Sequence, residues 1–258
     1  MQIYRGFDIG SGKPSAEELA RAPHHLVGAI DPMEPIDAAR FAALARAAIA
    51  DVRARKKRVV VCGGTFLWAK ALLFGLAEAP PASPEIRARH RAIAEARGRT
   101  ALHEELTRID AESAARLHPN DVVRVSRALE VFELTGKPLS LWQREHAFKD
   151  ARYDAALAAL RVAPEDLARR IDARVRAMLD AGWLDEVRAL LAQGYGDARA
   201  MGAVGYREVR AHLAGEIPAA DLPRAIVRST RIFARRQRTW LNHEPVTWLG
   251  EQQGERQG

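Results

Sequence analysis

Residues 58–75 read RVVVCGGTFLWAKALLFG. The run 58–62 is short, apolar and rich in β-branched valine, which predicts a buried strand. Gly63 and Gly64 break it, Thr65 is placed to cap a helix, and Gly75 is placed to stop that helix. Strand, glycine turn and helix in this order make the βα unit of a parallel sheet. Open α/β sheets bind ligands at the carboxyl ends of their strands. The Gly63-Gly64-Thr65 turn is therefore a candidate site, with Thr65 either donating to a phosphate or ribose or serving only as a cap. Cys62 beside it is expected as a small buried hydrophobe.

Upstream, residues 37–55 predict an amphipathic helix with Phe41, Leu44, Ala48 and Val52 on one stripe. A helix leading into a buried strand is half of a crossover, and residues 24–30 are the one candidate for the strand before it. The opening stretch RGFDIGSGKPS (5–15) holds G-S-G-K, which looks like the tail of a phosphate loop. The pattern G-x-x-x-x-G-K-[ST] needs glycine where Phe7 stands and a hydroxyl where Pro14 stands. The stretch is read instead as a glycine-rich turn into a short helix capped by Ser15, from which Lys13 still reaches toward a phosphate.

Downstream, the Pro-rich run 77–85 marks a boundary. Residues 85–147 read as helical and Arg-rich. Residues 155–163 return to a buried strand, and 164–243 are helical with a break at 193–206. The expected fold is α/β: a parallel-sheet core over 1–76 and 151–258, interrupted by a helical insertion over 77–150. The chain ends in a short polar tail, 250–258.

The 258 residues carry a formal charge of +7 and are 48% hydrophobic. Such a chain is globular, and its charge favours a polyanionic partner. One cysteine permits no internal disulfide, which suits a reducing cytosol. No apolar run is long enough to span a membrane, and no secretory leader is visible. His24-His25 lacks the acids, cysteines and spacing of a metal site.

Two helices carry charge that asks for a ligand. In LPRAIVRSTRIFARRQRTWL (222–241), Arg224, Arg228, Arg231, Arg235 and Arg238 recur at helical spacing on one face, opposite Leu222, Ile226, Phe233, Trp240 and Leu241. No acid occurs from 222 to 243, so the stacked guanidiniums need phosphates, or carboxylates from elsewhere in the fold. In HPNDVVRVSRALEVFELTGKP (118–138), Asn120 or Asp121 caps a helix whose buried stripe is Val122, Val125, Leu129 and Phe132. Arg124, Ser126 and Arg127 lie off that stripe. Cations near a helix N-terminus oppose its dipole, which is consistent with a grip on phosphate or with plain surface arginines.

Together MQIYRGFDIGSGKPS, PHHLVGAIDP, VVVCGGTFLWAKALLFGL, HPNDVVRVSRALEVFELTGKPLS, GYREV and RRQRTWL occur in the order and spacing of the tRNA dimethylallyltransferases. The chain resembles that family across nearly its whole length. The resemblance implies a P-loop-kinase-like core with a helical insertion that grips an anticodon stem-loop. It also implies transfer of a dimethylallyl group from dimethylallyl diphosphate to N6 of the adenine 3′ to the anticodon, in tRNAs reading codons that start with U, with Mg²⁺. A cytoplasmic monomer is expected.

By the same resemblance, Gln2, Thr65, Arg87, the stretch Val123, Arg124, Val125, Ser126 and Arg127, the stretch Ala203 to Arg207, and Arg235, Arg236, Gln237 and Arg238 through Leu241 are expected to contact tRNA. Lys13, Thr65 and Arg207 are expected at the substrate phosphates. Two departures stand out. The family's first strand, phosphate loop and catalytic aspartate would all precede Met1, so no catalytic or metal-binding residue is assigned. A truncated or mis-started chain without transferase activity of its own is expected. Gly202 also stands where the family carries a basic residue. The alternatives by class are a non-catalytic RNA-binding remnant and a fragment of a P-loop metabolite kinase.

Overall fold

The computed structural model describes residues 1–250, so residues 251–258 of the polar tail lie outside the described residues. The chain divides into two compact units, one formed by Met1–Leu73 and Tyr153–Gly258, the other by Phe74–Arg152.

The first unit begins with turns. Ile3, Tyr4 and Phe7 are buried, and Tyr4 makes an isolated parallel bridge to Ile30. That bridge is all that forms of the strand considered over 24–30. Helix α1 (Ala16–Arg21) starts at a reciprocal cap between Ser15 and Glu18, as the sequence predicts. Helix α2 (Ala38–Ala54) is capped by Asp37. Its buried stripe is Ala38, Ala42, Ala45 and Ile49, one position away from the stripe expected on Phe41, Leu44, Ala48 and Val52. Inward alanines let the helix backbone approach the core closely. The larger Phe41 flanks the contact and stacks on Trp68 with ring centroids 4.7 Å apart.

Residues 58–62 do not form the predicted strand. Among the described residues no strand pairs with them to complete a ladder. Val60 is 82% and Val61 57% exposed, and Cys62 is exposed rather than buried. The helix that follows does form, as α3 (Phe66–Phe74), and ends at Gly75 with φ +82°.

The second unit is helical: α4 (Pro84–Arg97), α5 (Ala101–Ile109), α6 (Ala111–Arg116), α7 (Val122–Thr135) and α8 (Leu139–His146). Leu102, Leu106, Ala114, Val125, Ala128 and Leu129 form its core. Buried Asp110 accepts from the Ser113 N–H at 2.9 Å and hydroxyl at 2.7 Å, and from the Ser140 N–H at 2.9 Å. One carboxylate thus ties the starts of α6 and α8 together. Helix α7 takes Asp121 as its cap and Gly136, in the left-handed region, as its stop.

The chain then returns to the first unit through β1 (Ala158–Leu160), α9 (Pro164–Asp180) and α10 (Trp183–Ala192). Two 3₁₀ turns follow (Tyr195–Asp197 and Arg199–Gly202), then α11 (Tyr206–Leu213), α12 (Leu222–Leu241) and β2 (Thr247–Leu249). Strands β1 and β2 pair in parallel, with Ala159 opposite Trp248. The fold is helix-rich with this small parallel sheet. Phe7, Trp183, Val187, Met201, Tyr206 and Val209 are buried at its centre, where Tyr206 packs on Phe7 at 4.8 Å and edge-on to Trp183 at 5.5 Å between ring centroids. The Trp183 indole fills the space a side chain would need at Gly10 and at Gly205, which sits at φ +88°. Only glycine suits both places.

Candidate functional site

The arginine face of α12 is real, and an acid from elsewhere answers part of it. Arg231 pairs with Asp172 of α9 at 3.1 Å. Among the described residues, the side chains of Arg224, Arg228, Arg235 and Arg238 have no hydrogen-bond or ion-pair partner. Between α9 and α12 runs a groove of about 660 Å³ lined by Arg176, Arg224, Arg228, Arg231 and Arg235, with Asp172 as its one acid. Val175, Val227 and Ile232 also line it. Such a surface suits a polyanion with apolar or flat groups between its charges. On the opposite face Leu222 and Ile226 are buried, whereas Phe233 and Trp240 are about half exposed. The apolar stripe is therefore covered only along its first half.

Two segments expected to contact RNA meet at the far half of this helix. Gln237 donates from Nε2 to the Gly64 carbonyl at 3.1 Å, and Trp240 lies 6.4 Å from Phe66 between ring centroids. Thr65 is exposed, and its carbonyl accepts from the N–H groups of Trp68 and Ala69. Arg207 also reaches α12. Its guanidinium donates to Glu208 through Nε at 3.2 Å and Nη2 at 2.5 Å, and to the Ser229 hydroxyl at 3.4 Å. Burial works against ionisation of Glu208 as the largest single effect. The hydrogen bonds from Ser229, Arg207 and the Gly205 N–H together outweigh it and hold the carboxyl below the usual carboxylate range.

Lys13 turns inward. It donates to the Tyr4 carbonyl at 2.5 Å and pairs with Asp8, so its charge is already met. Gln2 donates to the Gly12 carbonyl at 2.6 Å and braces the same turn. Gly202 ends its 3₁₀ turn in open space, with no atom within 4 Å of where a Cβ would stand.

In the second unit, Arg87 and Arg127 converge on one buried acid, Glu130, which is 0% exposed. Arg87 donates to it through Nε at 3.0 Å and Nη2 at 3.1 Å, and Arg127 through Nη1 at 2.6 Å. Burial again opposes ionisation most, and the Arg87, Arg127 and Ser83 N–H donors outweigh it, so Glu130 stays below the usual carboxylate range. The stretch 123–127 points both ways. Val123 is 80% exposed, and Arg124 is exposed and paired with Asp121 at 2.5 Å. Val125 and Ser126 are buried, and Ser126 bonds to Nδ1 of His90 at 2.9 Å. Ser126 is thus part of the interior rather than off the stripe. Both N-terminal cations of α7 are answered by carboxylates, which offsets their conflict with the helix dipole.

Sequence reading missed the acids that organise this chemistry. Glu130 follows Arg127 by three residues, a helical pairing distance, so spacing offered a signal there; Glu208 follows Arg207 directly, a separation that offers none. Asp172 lies 59 residues from Arg231, and nothing local announces that pairing. Among the described residues, no three His, Cys, Asp or Glu side chains gather as metal ligands would.

Comparison with known proteins gives this arrangement a context. The IPP transferase family model matches residues 2–244. The chain is 61% identical over 249 residues to a tRNA dimethylallyltransferase of Sorangium cellulosum, covering 96% of this chain and 79% of that protein. It is 48% identical to tRNA dimethylallyltransferase 1 of Citrifermentans bemidjiense, covering 96% and 81%. Among solved structures, the full-length tRNA isopentenylpyrophosphate transferase of Bacillus halodurans superposes with a TM-score of 0.67 at 33% identity, over 96% of this chain and 78% of that one. A eukaryotic dimethylallyltransferase described as acting on tRNA superposes with a TM-score of 0.78 at 27% identity, over 93% and 61%.

Proposed function

Since the chain belongs to the IPP transferase family, a class of tRNA-modifying prenyltransferases, we propose that it serves transfer of a dimethylallyl group from dimethylallyl diphosphate to tRNA. The acceptor is N6 of the adenine 3′ to the anticodon, in tRNAs reading codons that begin with U. The observation that carries this reading is the face of α12, where four guanidiniums have no partner among the described residues while Gln237 of the same helix holds the Gly64-Thr65 turn. Neither alternative accounts for the comparisons as well. A metabolite kinase gives no reason for a cationic face of this length, and the relatives matched are tRNA dimethylallyltransferases.

In this reaction the N6–C bond forms as the allylic C–O bond breaks, the diphosphate departs with the electron pair, and a base takes the N6 proton. Charge on the departing diphosphate needs fixed donors. Arg207 is the group proposed for this, since Glu208 and Ser229 fix its guanidinium while one edge stays exposed. Thr65 and Lys13 stand beside it in the proposal, although Lys13 would first have to leave Asp8. Gln2, Arg87, Val123 to Arg127 and Arg235 to Arg238 are proposed for tRNA, with Val125 and Ser126 acting from the interior. The family resemblance implies Mg²⁺. The described residues do not form a cage for it, and no step is routed through it. A cytoplasmic monomer is proposed, and no helix among the described residues is long and apolar enough to cross a membrane.

The test is mass spectrometry of tRNA nucleosides from cells with and without the gene. Loss of N6-prenylated adenosine on deletion is expected, and an unchanged level overturns the proposal.

A further inference from the structure

We propose that Glu130 is a positioning residue, a buried carboxylate that holds Arg87 and Arg127 side by side so that their free edges grip one RNA phosphate together. The inference rests on the reading that this chain binds tRNA. It adds a residue that touches no substrate.

The geometry is closed on the inner side. Oε1 of Glu130 accepts from the Ser83 N–H at 2.7 Å and from Arg87 Nε at 3.0 Å. Oε2 accepts from Arg87 Nη2 at 3.1 Å and from Arg127 Nη1 at 2.6 Å. The carboxylate has no contact left to make. Arg127 is fixed a second time, by Nη2 donating to the Pro80 carbonyl at 2.6 Å. Sharing Oε2 brings two guanidiniums from different helices, α4 and α7, against one atom. Apart from this acid they would repel.

The outer side is open. The Arg87 and Arg127 side chains remain 44% and 29% exposed, while Glu130 is 0% exposed. Two cations on one anion leave a net positive charge at that surface. Guanidiniums locked in place lose little freedom when a phosphate arrives, which is how preorganisation raises affinity. A buried ion cluster is weak evidence for stability alone, because desolvation offsets most of its attraction. That leaves orientation as the reason to keep it.

Charge and positioning predict opposite results for Glu130→Gln. Removing a negative charge beside an RNA surface tightens binding and steepens its salt dependence if charge alone counts. Positioning predicts about tenfold weaker binding of an anticodon stem-loop RNA and a shallower salt dependence. It also predicts that Arg87→Ala added to Glu130→Gln weakens binding little further, and that Glu130→Asp recovers part of the loss. Binding by Glu130→Gln as tight as the unaltered chain's overturns the inference. If Glu130→Gln does not fold, Arg87→Ala and Arg127→Ala carry the test: a double variant no weaker than either single supports shared positioning, and strict additivity overturns it. Absence of any salt-dependent RNA binding by the unaltered chain overturns the tRNA reading itself, and is told apart by needing no variant.

Discussion

The Tyr206 hydroxyl donates to the Glu186 carboxylate at 2.7 Å, and that carboxylate also accepts the backbone N–H groups of Asp8 at 3.0 Å, Ile9 at 2.5 Å and Gly10 at 3.3 Å. One acid on α10 thus holds the turn that carries Phe7 into the core and Lys13 back onto Tyr4. Burial raises the Tyr206 phenol far above its ordinary value, and the neighbouring Glu186 adds to the effect, so the hydroxyl stays a donor throughout the working range.

Replacing Glu186 with Ala leaves a buried hydroxyl and three backbone donors without their acceptor. A loss of about 2–4 kcal/mol in unfolding free energy is expected. Tyr206→Phe removes one hydrogen bond and keeps the ring packing, so it costs about 1 kcal/mol. Urea denaturation of the two variants checks the ranking, and a Tyr206→Phe cost equal to that of Glu186→Ala contradicts it.

The groove between α9 and α12 predicts a different pattern, in binding rather than stability. The Arg231–Asp172 pair is exposed on both sides, and such pairs contribute at most about 1 kcal/mol. Asp172→Ala is expected to leave the urea midpoint nearly unchanged while strengthening tRNA binding. Arg235→Ala with Arg238→Ala is expected to weaken tRNA binding and lower the slope of log affinity against log salt by about 1–2. Unchanged slopes in both variants remove α12 from the RNA surface.

Three buried carboxylates set the acid limb of stability. Burial works against ionisation of Asp110, Glu130 and Glu208, and their hydrogen bonds prevail, so all three sit below the ordinary carboxylate range in the folded chain. A depressed folded value means the unfolded chain binds the proton more readily. The stabilisation is complete above the unfolded value, about 4, and is lost as pH falls through the folded value. Urea unfolding measured from about pH 7 to about pH 2 should show stability flat at the top and falling below about pH 4. Glu208→Gln should lower stability at neutral pH and flatten that fall. An acid limb identical to that of the unaltered chain excludes Glu208 as a contributor.

The sequence made the helices legible and the sheet much less so. Helices announce themselves locally: Ser15 with Glu18, Asp37, Asp121 and Gly136 are caps within a few residues of what they cap. A parallel strand depends on a partner far along the chain. Valines at 59–61 read as a buried strand by composition, yet no neighbour among the described residues completes it. β2 instead pairs with β1 from 89 residues away, at Thr247 and Ala158, with no local sign. The arginine face of α12 was readable from spacing. The acids that sort those cations into held and free, Asp172 above all, were not. Phe7 shows the same limit, since a turn residue in a polar stretch became the centre of a core only because Tyr206 and Trp183 fold over it.

Gly202 offers the last test, because the family resemblance expects a basic residue there. A Cβ at this position meets nothing within 4 Å, and the residue closes a 3₁₀ turn three residues before Gly205, which caps the start of α11. An added side chain therefore leads into open space without repacking the core, and Gly202→Arg should change unfolding free energy by no more than about 0.5 kcal/mol. The new guanidinium would stand five residues before Arg207, the group proposed for the departing diphosphate. Tighter binding of inorganic pyrophosphate, measured by calorimetry, is the expected outcome, weakening as salt is added. Affinity equal to that of the unaltered chain, in a variant that still melts normally, places the diphosphate elsewhere.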